Sequence, residues 1–309
     1  MKRREFLSTA AAAVAASPAL NAAPPASRII DTHTHFYDPT RPQGVPWPAK
    51  NTPLYRTVLP QHWLALAEPH GCRETVIVEA SAWLEDNQWL LDLAAKETSI
   101  VGICGHIEPD DAQFEAHTRR FAANRLFRGV RWRADAYREA AGRDQVEKNA
   151  QLLAQLGLQL DLNGSASALP VAAELATAVP DLRIVIDHLG APGDPRAIRP
   201  EWLPGITALA RHPNVFMKVS ALVEQVRDAD GKAPADAAFY LPILEPLWQH
   251  FGPERLIYGS NWPVSDRGAP YATVFQIVKN YFESKGADAC ERYFWKNSLT
   301  AYRWVERKS

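Results

Sequence analysis

The sequence predicts an α/β fold, a single (β/α)₈ TIM barrel with an extra C-terminal helix. Short β-rich runs alternate with longer helical patterns along the whole chain. Eight such runs are present, which is the number of strands that closes a barrel of this type. No linker interrupts the alternation, so we expect one domain to hold all eight strands.

The eight candidate strands are rich in β-branched and other apolar residues. In chain order they are Arg28–Thr34, Glu74–Ala80, Ile100–His106, Phe127–Trp132, Leu158–Asn163, Arg183–His188, Val215–Ser220 and Arg255–Ser260. A doubly wound open sheet is the alternative fold. That fold is expected to carry a Gly-rich phosphate turn after its first strand, and the sequence has none there.

Helical patterns separate the strands. Their apolar residues recur at three- and four-residue spacing, as in Asn87–Glu97, Gln145–Gln155, Leu169–Ala178 and Phe239–His250. The segment Ala287–Val305 shows the same pattern after the last strand, and it predicts the extra helix that closes the barrel.

The first residues have the composition of an export signal. Arg3 and Arg4 precede Phe6-Leu7 and an alanine-rich run, and small residues follow where a signal peptidase could cut. The pattern resembles a twin-arginine signal, and its apolar part is too short for a good membrane span. We therefore predict a signal peptide over residues 1–26, a barrel over 27–309, and a periplasmic or secreted protein with no membrane span in its mature form.

The overall composition excludes several classes of protein. Hydrophobic residues make up 47% of the chain and its formal net charge is −1, so no basic excess points to nucleic acid. The three cysteines, Cys72, Cys104 and Cys290, are widely spaced and predict no disulfide framework. A small-molecule substrate is the expected partner, and homo-oligomerisation through outer helices is a further expectation.

Two histidines at the end of the first strand are the most informative feature. Side chains alternate along a strand, so His33 and His35 lie on the same face with their imidazoles close together. Active sites of α/β barrels form at the C-terminal ends of the strands. The pair therefore predicts the centre of a catalytic or metal site.

The other strand ends are unusually polar for a packed core. They carry Glu79, Ser81, His106, Arg131, Arg133, Asp161, Asn163, Asp187, His188, Lys218, Ser220, Ser260 and Asn261. Such groups are costly to bury alone, so we expect them to line a wet pocket or to pair with one another. For any one of them other than His188, a structural ion pair beneath the loops is an equally good interpretation.

Five motifs resemble the amidohydrolase superfamily, specifically its amidohydrolase-2 branch, which includes lactonases and metal-dependent decarboxylases. They are DTHTHFYDP at 31–39, GVRW at 129–132, DHLGAP at 187–192, FMKVSAL at 216–222 and GSNWPV at 259–264. The resemblance covers nearly the whole predicted barrel. It implies a site built from His33, His35, His188 and the residue at position 261, with the three histidines as candidate ligands of one divalent metal, zinc or similar.

Position 261 departs from the family pattern. The family commonly has an aspartate there, which binds metal and takes a proton from water, whereas this chain has Asn261. An amide has no basic form near neutral pH and offers a metal only a neutral oxygen. The general base is therefore unassigned, and a metal-free site is an interpretation as open as a metal site.

Two mechanisms of hydrolysis follow from these residues. In one, a metal on the three histidines polarises the substrate carbonyl. In the other, His188 or a carboxylate such as Glu79 or Asp266 deprotonates water while neighbouring groups donate hydrogen bonds to the oxyanion. Both suit a cyclic ester better than an amide, so we predict a lactonase of the sugar-acid or muconolactone type.

The candidate substrate-binding residues combine charge with aromatic rings. They are Arg131, Arg133, Lys218, Glu79, Trp83 and Trp262. Cations favour an anionic substrate, and mixed donors with indole faces favour a polyhydroxylated one. The loop 38–60 is expected to cover the pocket. The alternative functions are a metal-dependent non-oxidative decarboxylase of an aromatic or related acid and a non-catalytic acid- or sugar-binding protein.

Overall fold

The computed structural model describes residues 26–139, 143–226 and 232–307. Its eight parallel strands pair in chain order, from the first to the eighth. The strands are β1 Ile30–Thr34, β2 Glu74–Val78, β3 Ile100–Gly105, β4 Phe127–Arg133, β5 Gln159–Asn163, β6 Arg183–Ile186, β7 Val215–Val219 and β8 Leu256–Tyr258. A parallel bridge between Thr34 and Trp262 joins the two ends of the sheet. The predicted (β/α)₈ barrel is confirmed.

Helices follow each strand and pack on the outside of the sheet. They are α1 Pro60–Ala67, α2 Asp86–Lys96, α3 Phe114–Ala122, α4 Ala134–Glu139, α5 Arg143–Gln155, α6 Leu169–Ala178, α7 Trp202–Leu209, α8 Leu241–Phe251, α9 Tyr271–Ser284, α10 Ala287–Glu291 and α11 Asn297–Tyr302. The main core lies between this layer and the sheet. Within the described ranges, every helix falls short of the length and apolar character needed to cross a membrane.

The C-terminal segment is more broken than predicted. In place of one helix over Ala287–Val305, α10 continues through a π-helical turn at Arg292–Lys296 into α11, which ends at Tyr302 because Arg303 adopts a left-handed φ of 50°. Trp304 then packs inside the barrel against apolar residues such as Ile30 and Val76. The segment therefore closes the barrel as predicted. It does so with the buried side chains of Tyr302 and Trp304, which we call the plug.

Three predicted strands are two residues too long at their C-terminal ends, and those predicted to end at His106 and Ser220 are one residue too long. β2 ends at Val78, β6 at Ile186 and β8 at Tyr258, so Glu79, His188 and Asn261 lie in the loops just beyond them. These loops carry the site. The predicted signal peptide over residues 1–26 falls almost wholly outside the described part of the chain.

Candidate active site

Three histidines meet at the C-terminal mouth of the barrel. His33 lies on β1 and His35 directly after it, and their ring centroids are 4.9 Å apart. His188 follows β6, and its ring centroid lies 4.6 Å from that of His33. The structure thus brings together the histidine pair and the third histidine that the sequence indicated.

His35 is held by the backbone of the neighbouring strand. Its Nδ1 lies 3.0 Å from the carbonyl oxygen of Val78 and 3.1 Å from that of Glu79. Since carbonyls only accept hydrogen bonds, Nδ1 carries the proton and Nε2 presents a bare lone pair to the site. Burial lowers the pKa of His35 to about 3, so this imidazole is neutral.

His33 is fully buried beneath the other two. Its Nδ1 lies 3.2 Å from the Lys218 ammonium and 3.5 Å from Asp187 Oδ1, and its buried Nε2 has no partner among the described residues. Burial, reinforced by the Lys218 charge, lowers the pKa of His33 well below its usual range. This imidazole is therefore also neutral.

His188 has an unusual backbone that directs its ring inward. Its φ of 56° is left-handed, a conformation that non-glycine residues adopt mainly where surrounding structure or function requires it. Its Nδ1 lies 2.9 Å from the hydroxyl oxygen of Ser220 at the end of β7. Burial lowers the pKa of His188 to about 4.

The three imidazoles fit a divalent metal. Transition metals bind neutral imidazole nitrogens, and a hydrogen bond to the opposite ring nitrogen orients each ligand. All three rings are neutral, and acceptors hold Nδ1 of His35 and His188. The buried Nε2 of His33, which has no partner among the described residues, would bind an ion in the tautomer whose Nδ1–H faces Asp187 Oδ1 at 3.5 Å. His33, Asp187 and His188 also place one potential ligand atom each within 4.8 Å of one another.

Asn261 joins the histidines through its amide oxygen. Its φ of 60° is left-handed, which asparagine tolerates better than most residues, and its Oδ1 lies 3.3 Å from His35 Nε2. On the other side, its Nδ2 donates a hydrogen bond of 2.7 Å to Glu224 Oε1. The fourth position of the family site is thus in place, and it is connected to a carboxylate.

Glu224 is the site residue that the sequence analysis missed. It lies in the loop after β7, beyond the strand-end positions that were considered. Burial raises the pKa of Glu224 to about 7, and its Oε2 is buried without a hydrogen-bond partner among the described residues. The available signal was a charged residue between apolar neighbours, Leu222-Val223 on one side and Val226 on the other.

Lys218 lies under the site and not in its wall. Its side chain is 0% exposed, and its Nζ lies 2.6 Å from Asp161 Oδ2 and 2.9 Å from Asp187 Oδ1. Tyr302 also donates to Asp161 from the plug below. We expected Lys218 to contact substrate, but a fully buried ammonium neutralised by two carboxylates cannot reach one; it supports His33 instead.

A cavity of about 340 Å³ opens above the histidines. Its lining residues are His35, Trp47, Glu79, Ala80, Arg131, His188, Asn261 and Val264. Trp47 comes from the loop 38–60, so that loop contributes one wall of the pocket. A larger cavity of about 530 Å³, lined by Arg255 and Lys296 among others, contains none of the strand-end site residues.

The predicted substrate-binding residues are only partly brought together. Arg131 and Glu79 line the cavity as an ion pair of 2.7 Å, whereas Arg133, 78% exposed at its side chain, lines an adjoining cavity. Trp83 is 39% exposed and Trp262 is 1% exposed, and neither lines the cavity above the histidines. Trp83 and Trp262 are therefore not placed to stack on a substrate in this cavity, contrary to our expectation.

Asp266, a candidate base, also lies apart from the histidines. It pairs with Arg56 at 3.4 Å and lines a different cavity, between Lys232 and Thr273. Its pKa is raised by burial. The structure does not bring it to the reacting centre.

A parallel barrel with a His-x-His on its first strand and a histidine after its sixth is the arrangement expected of an amidohydrolase. The chain belongs to the Amidohydrolase family, whose sequence profile matches residues 30–304.

Two groups of known proteins resemble this chain. L-fucono-1,5-lactonase of Burkholderia ambifaria is 30% identical over 290 residues, covering 91% of this chain and 97% of that protein. L-rhamnono-gamma-lactonase of Scheffersomyces stipitis is 30% identical over 144 residues, or 42% of this chain and 43% of that protein. Among solved structures, an amidohydrolase of Burkholderia multivorans with bound zinc superposes with a TM-score of 0.79 at 24% identity, covering 90% of this chain and 100% of that one.

Proposed function

We propose that this protein is a lactonase that opens the lactone of a sugar acid by attack of water on the ring carbonyl. The observation that carries the proposal is the convergence of three neutral imidazoles and the Asn261 amide on one cavity. The lactonase activities of the relatives from Burkholderia ambifaria and Scheffersomyces stipitis support the same class of substrate.

We propose that one divalent metal, zinc or similar, is held by His33, His35 and His188. When bound, such an ion polarises a carbonyl and lowers the pKa of water. The protein holds the imidazoles neutral by burial. Val78 and Glu79 orient His35, Ser220 orients His188, and Asp187 lies 3.5 Å from Nδ1 of His33.

The residues above the histidines bind and orient the lactone. Trp47 covers the cavity and restricts the access of bulk water. In the metal-free form of the mechanism, the neutral His188 accepts a proton from water in the cavity while Ser220 holds its Nδ1. The Arg131 guanidinium presents its remaining donors beside Glu79, whose carboxylate accepts from hydroxyl groups.

The charges of the cavity favour a neutral, polyhydroxylated lactone over a dianionic one. Arg131 is paired with Glu79 and Lys218 with Asp161 and Asp187, so neither cation is free to balance a substrate carboxylate. A mixed set of donors and acceptors suits hydroxyl groups, which both donate and accept.

Hydrolysis assays on a small panel of lactones test the proposal. We expect L-fucono-1,5-lactone or a related aldonolactone to be opened with a kcat/KM at least about 100-fold above that of muconolactone, because a buried polar wall discriminates strongly against substrates that leave it unpaired. Assays with and without chelator, together with elemental analysis, decide whether metal is needed. Release of carbon dioxide from an aromatic acid, or tight sugar binding without turnover, would contradict the lactonase.

We also propose that the mature protein acts in the periplasm or outside the cell. Arg3-Arg4 before Phe6-Leu7 and the alanine-rich run support export by the twin-arginine route. We expect the full-length chain to appear in the periplasmic fraction in a shortened form, and replacement of both arginines by lysine to leave it uncleaved in the cytoplasm. Equal periplasmic recovery of both chains would contradict this route.

A further inference from the structure

Two hydrogen-bond acceptors face each other at the centre of the site. His35 Nε2 has a bare lone pair because Nδ1 donates to the backbone, and Asn261 Oδ1 lies 3.3 Å away with lone pairs of its own. Two acceptors at this distance repel unless a positive charge lies between them. The arrangement is therefore that of two ligands prepared for a cation.

Glu224 determines which atom of the Asn261 amide faces His35. Its Oε1 accepts from Asn261 Nδ2 at 2.7 Å, so the amide nitrogen is directed away from the histidines and the oxygen toward them. Turning the amide over would place its oxygen against a carboxylate oxygen at the same short distance. Glu224 therefore holds the ligand oxygen in position.

Glu224 also differs from the other carboxylates near the histidines. Glu79 is paired with Arg131, and Asp187 with Lys218, so their charges are already balanced. Within the described ranges, Glu224 forms no ion pair, and its only hydrogen bond from a side chain comes from Asn261. Its negative charge is left to act through that amide.

We propose that Glu224 is a positioning residue that supplies, one hydrogen bond behind Asn261, the negative charge that an aspartate at position 261 would bring to the cation site. The Glu224–Asn261 pair then acts as a divided carboxylate. Asn261 contributes the ligand oxygen, and Glu224 orients and polarises it. Charge-assisted hydrogen bonds of this kind strengthen the acceptor on the far side of the amide.

Zinc affinity of the metal-stripped full-length protein, measured by competition with a chromophoric chelator, tests this role. Glu224→Gln keeps the shape and an acceptor for Asn261 Nδ2 but removes the charge. We expect its apparent zinc dissociation constant to rise by about 10- to 100-fold, the range typical of groups that orient metal ligands. Glu245→Gln, which alters a half-exposed carboxylate paired with Lys285 on the outer layer, is the matched control and should leave affinity unchanged.

A double-mutant cycle separates action through Asn261 from a general loss of charge. In an Asn261→Ala background, Glu224→Gln should have no further effect on zinc affinity. Moving the charge, by combining Glu224→Gln with Asn261→Asp, should restore wild-type affinity or better. If Glu224→Gln alone fails to fold, this charge-moved variant still decides the matter, because weaker affinity than wild type would overturn the proposal.

Three other outcomes would overturn it. They are unchanged zinc affinity in Glu224→Gln, an equal loss in the Asn261→Ala background, and a wild-type protein without measurable zinc affinity. The inference rests on the metal site proposed above and not on the lactonase activity. Lactone turnover by a metal-free wild-type protein would leave the lactonase intact and remove the role of Glu224, whereas zinc coupling without turnover would do the reverse.

Discussion

Replacing His188 with alanine is expected to lower kcat/KM for lactone hydrolysis by roughly 10³-fold or more, because this imidazole serves both mechanisms open to the site. It lines the cavity, contacts His33 at a centroid distance of 4.6 Å, and is held by Ser220 at Nδ1. Steady-state kinetics with an aldonolactone gives the measurement. The fold should persist, because the ring lies at the mouth of the barrel and its hydrogen bond is to Ser220 rather than to the core.

His62→Ala is the control for this variant. His62 is exposed on α1, where its Nδ1 accepts a hydrogen bond from the backbone of Leu59, and no site residue contacts it. Kinetics unchanged in His62→Ala and lost in His188→Ala, with equal thermal midpoints, would match the expectation. Turnover retained in His188→Ala within about tenfold would show that water is activated elsewhere.

The parts of the site that follow local rules were predictable from the sequence. Alternation along β1 places His33 and His35 on one face whatever the rest of the chain does. The position of His188 followed from the rule that barrel sites form at strand ends, although its strand ends two residues earlier than predicted. Both predictions needed only the two-residue alternation of side chains along a strand and the barrel architecture.

The parts that depend on long-range pairing were not predictable. Lys218 and Asp161 are 57 residues apart, and only the closed barrel places their side chains 2.6 Å from each other in its buried interior. The sequence around a strand-end lysine does not show whether its side chain lines a pocket or is buried beneath it. Glu224 likewise belongs to the site only through its hydrogen bond with Asn261, which is 37 residues away in the sequence.

The structure also makes more specific whether a site with Asn261 can bind a metal. Asn261 in place of aspartate left the charge of the site unbalanced when only strand ends were considered. The structure places the Glu224 carboxylate directly behind that amide. The neutral imidazoles of His35 and His188 are oriented from behind by Val78 and Ser220. The substitution is thus compatible with a cation site whose charge comes from a residue further along the chain.

Replacing Lys218 with methionine is expected to destabilise the protein by about 3–5 kcal/mol at pH 7, the largest stability effect that we anticipate for a single side chain near the site. Methionine has a similar length and suits a buried position, so the change removes the charge and not the packing. Asp161 and Asp187, whose side chains are both 0% exposed, would then be left buried without a cation. Urea unfolding followed by circular dichroism measures the loss.

Lys279→Met is the control, because it removes a lysine whose ion pair with Glu283 lies at the surface of α9 and whose side chain is 30% exposed. Such helix-surface pairs contribute only about 0.3–0.5 kcal/mol, so this variant should unfold almost as the wild type does. A loss in Lys218→Met no larger than that of the control would mean that the two aspartates do not need the ammonium to remain buried. The support of His33 from below would then have to come from the plug alone, and the close contact between Lys218 Nζ and His33 Nδ1 at 3.2 Å would be incidental to the site.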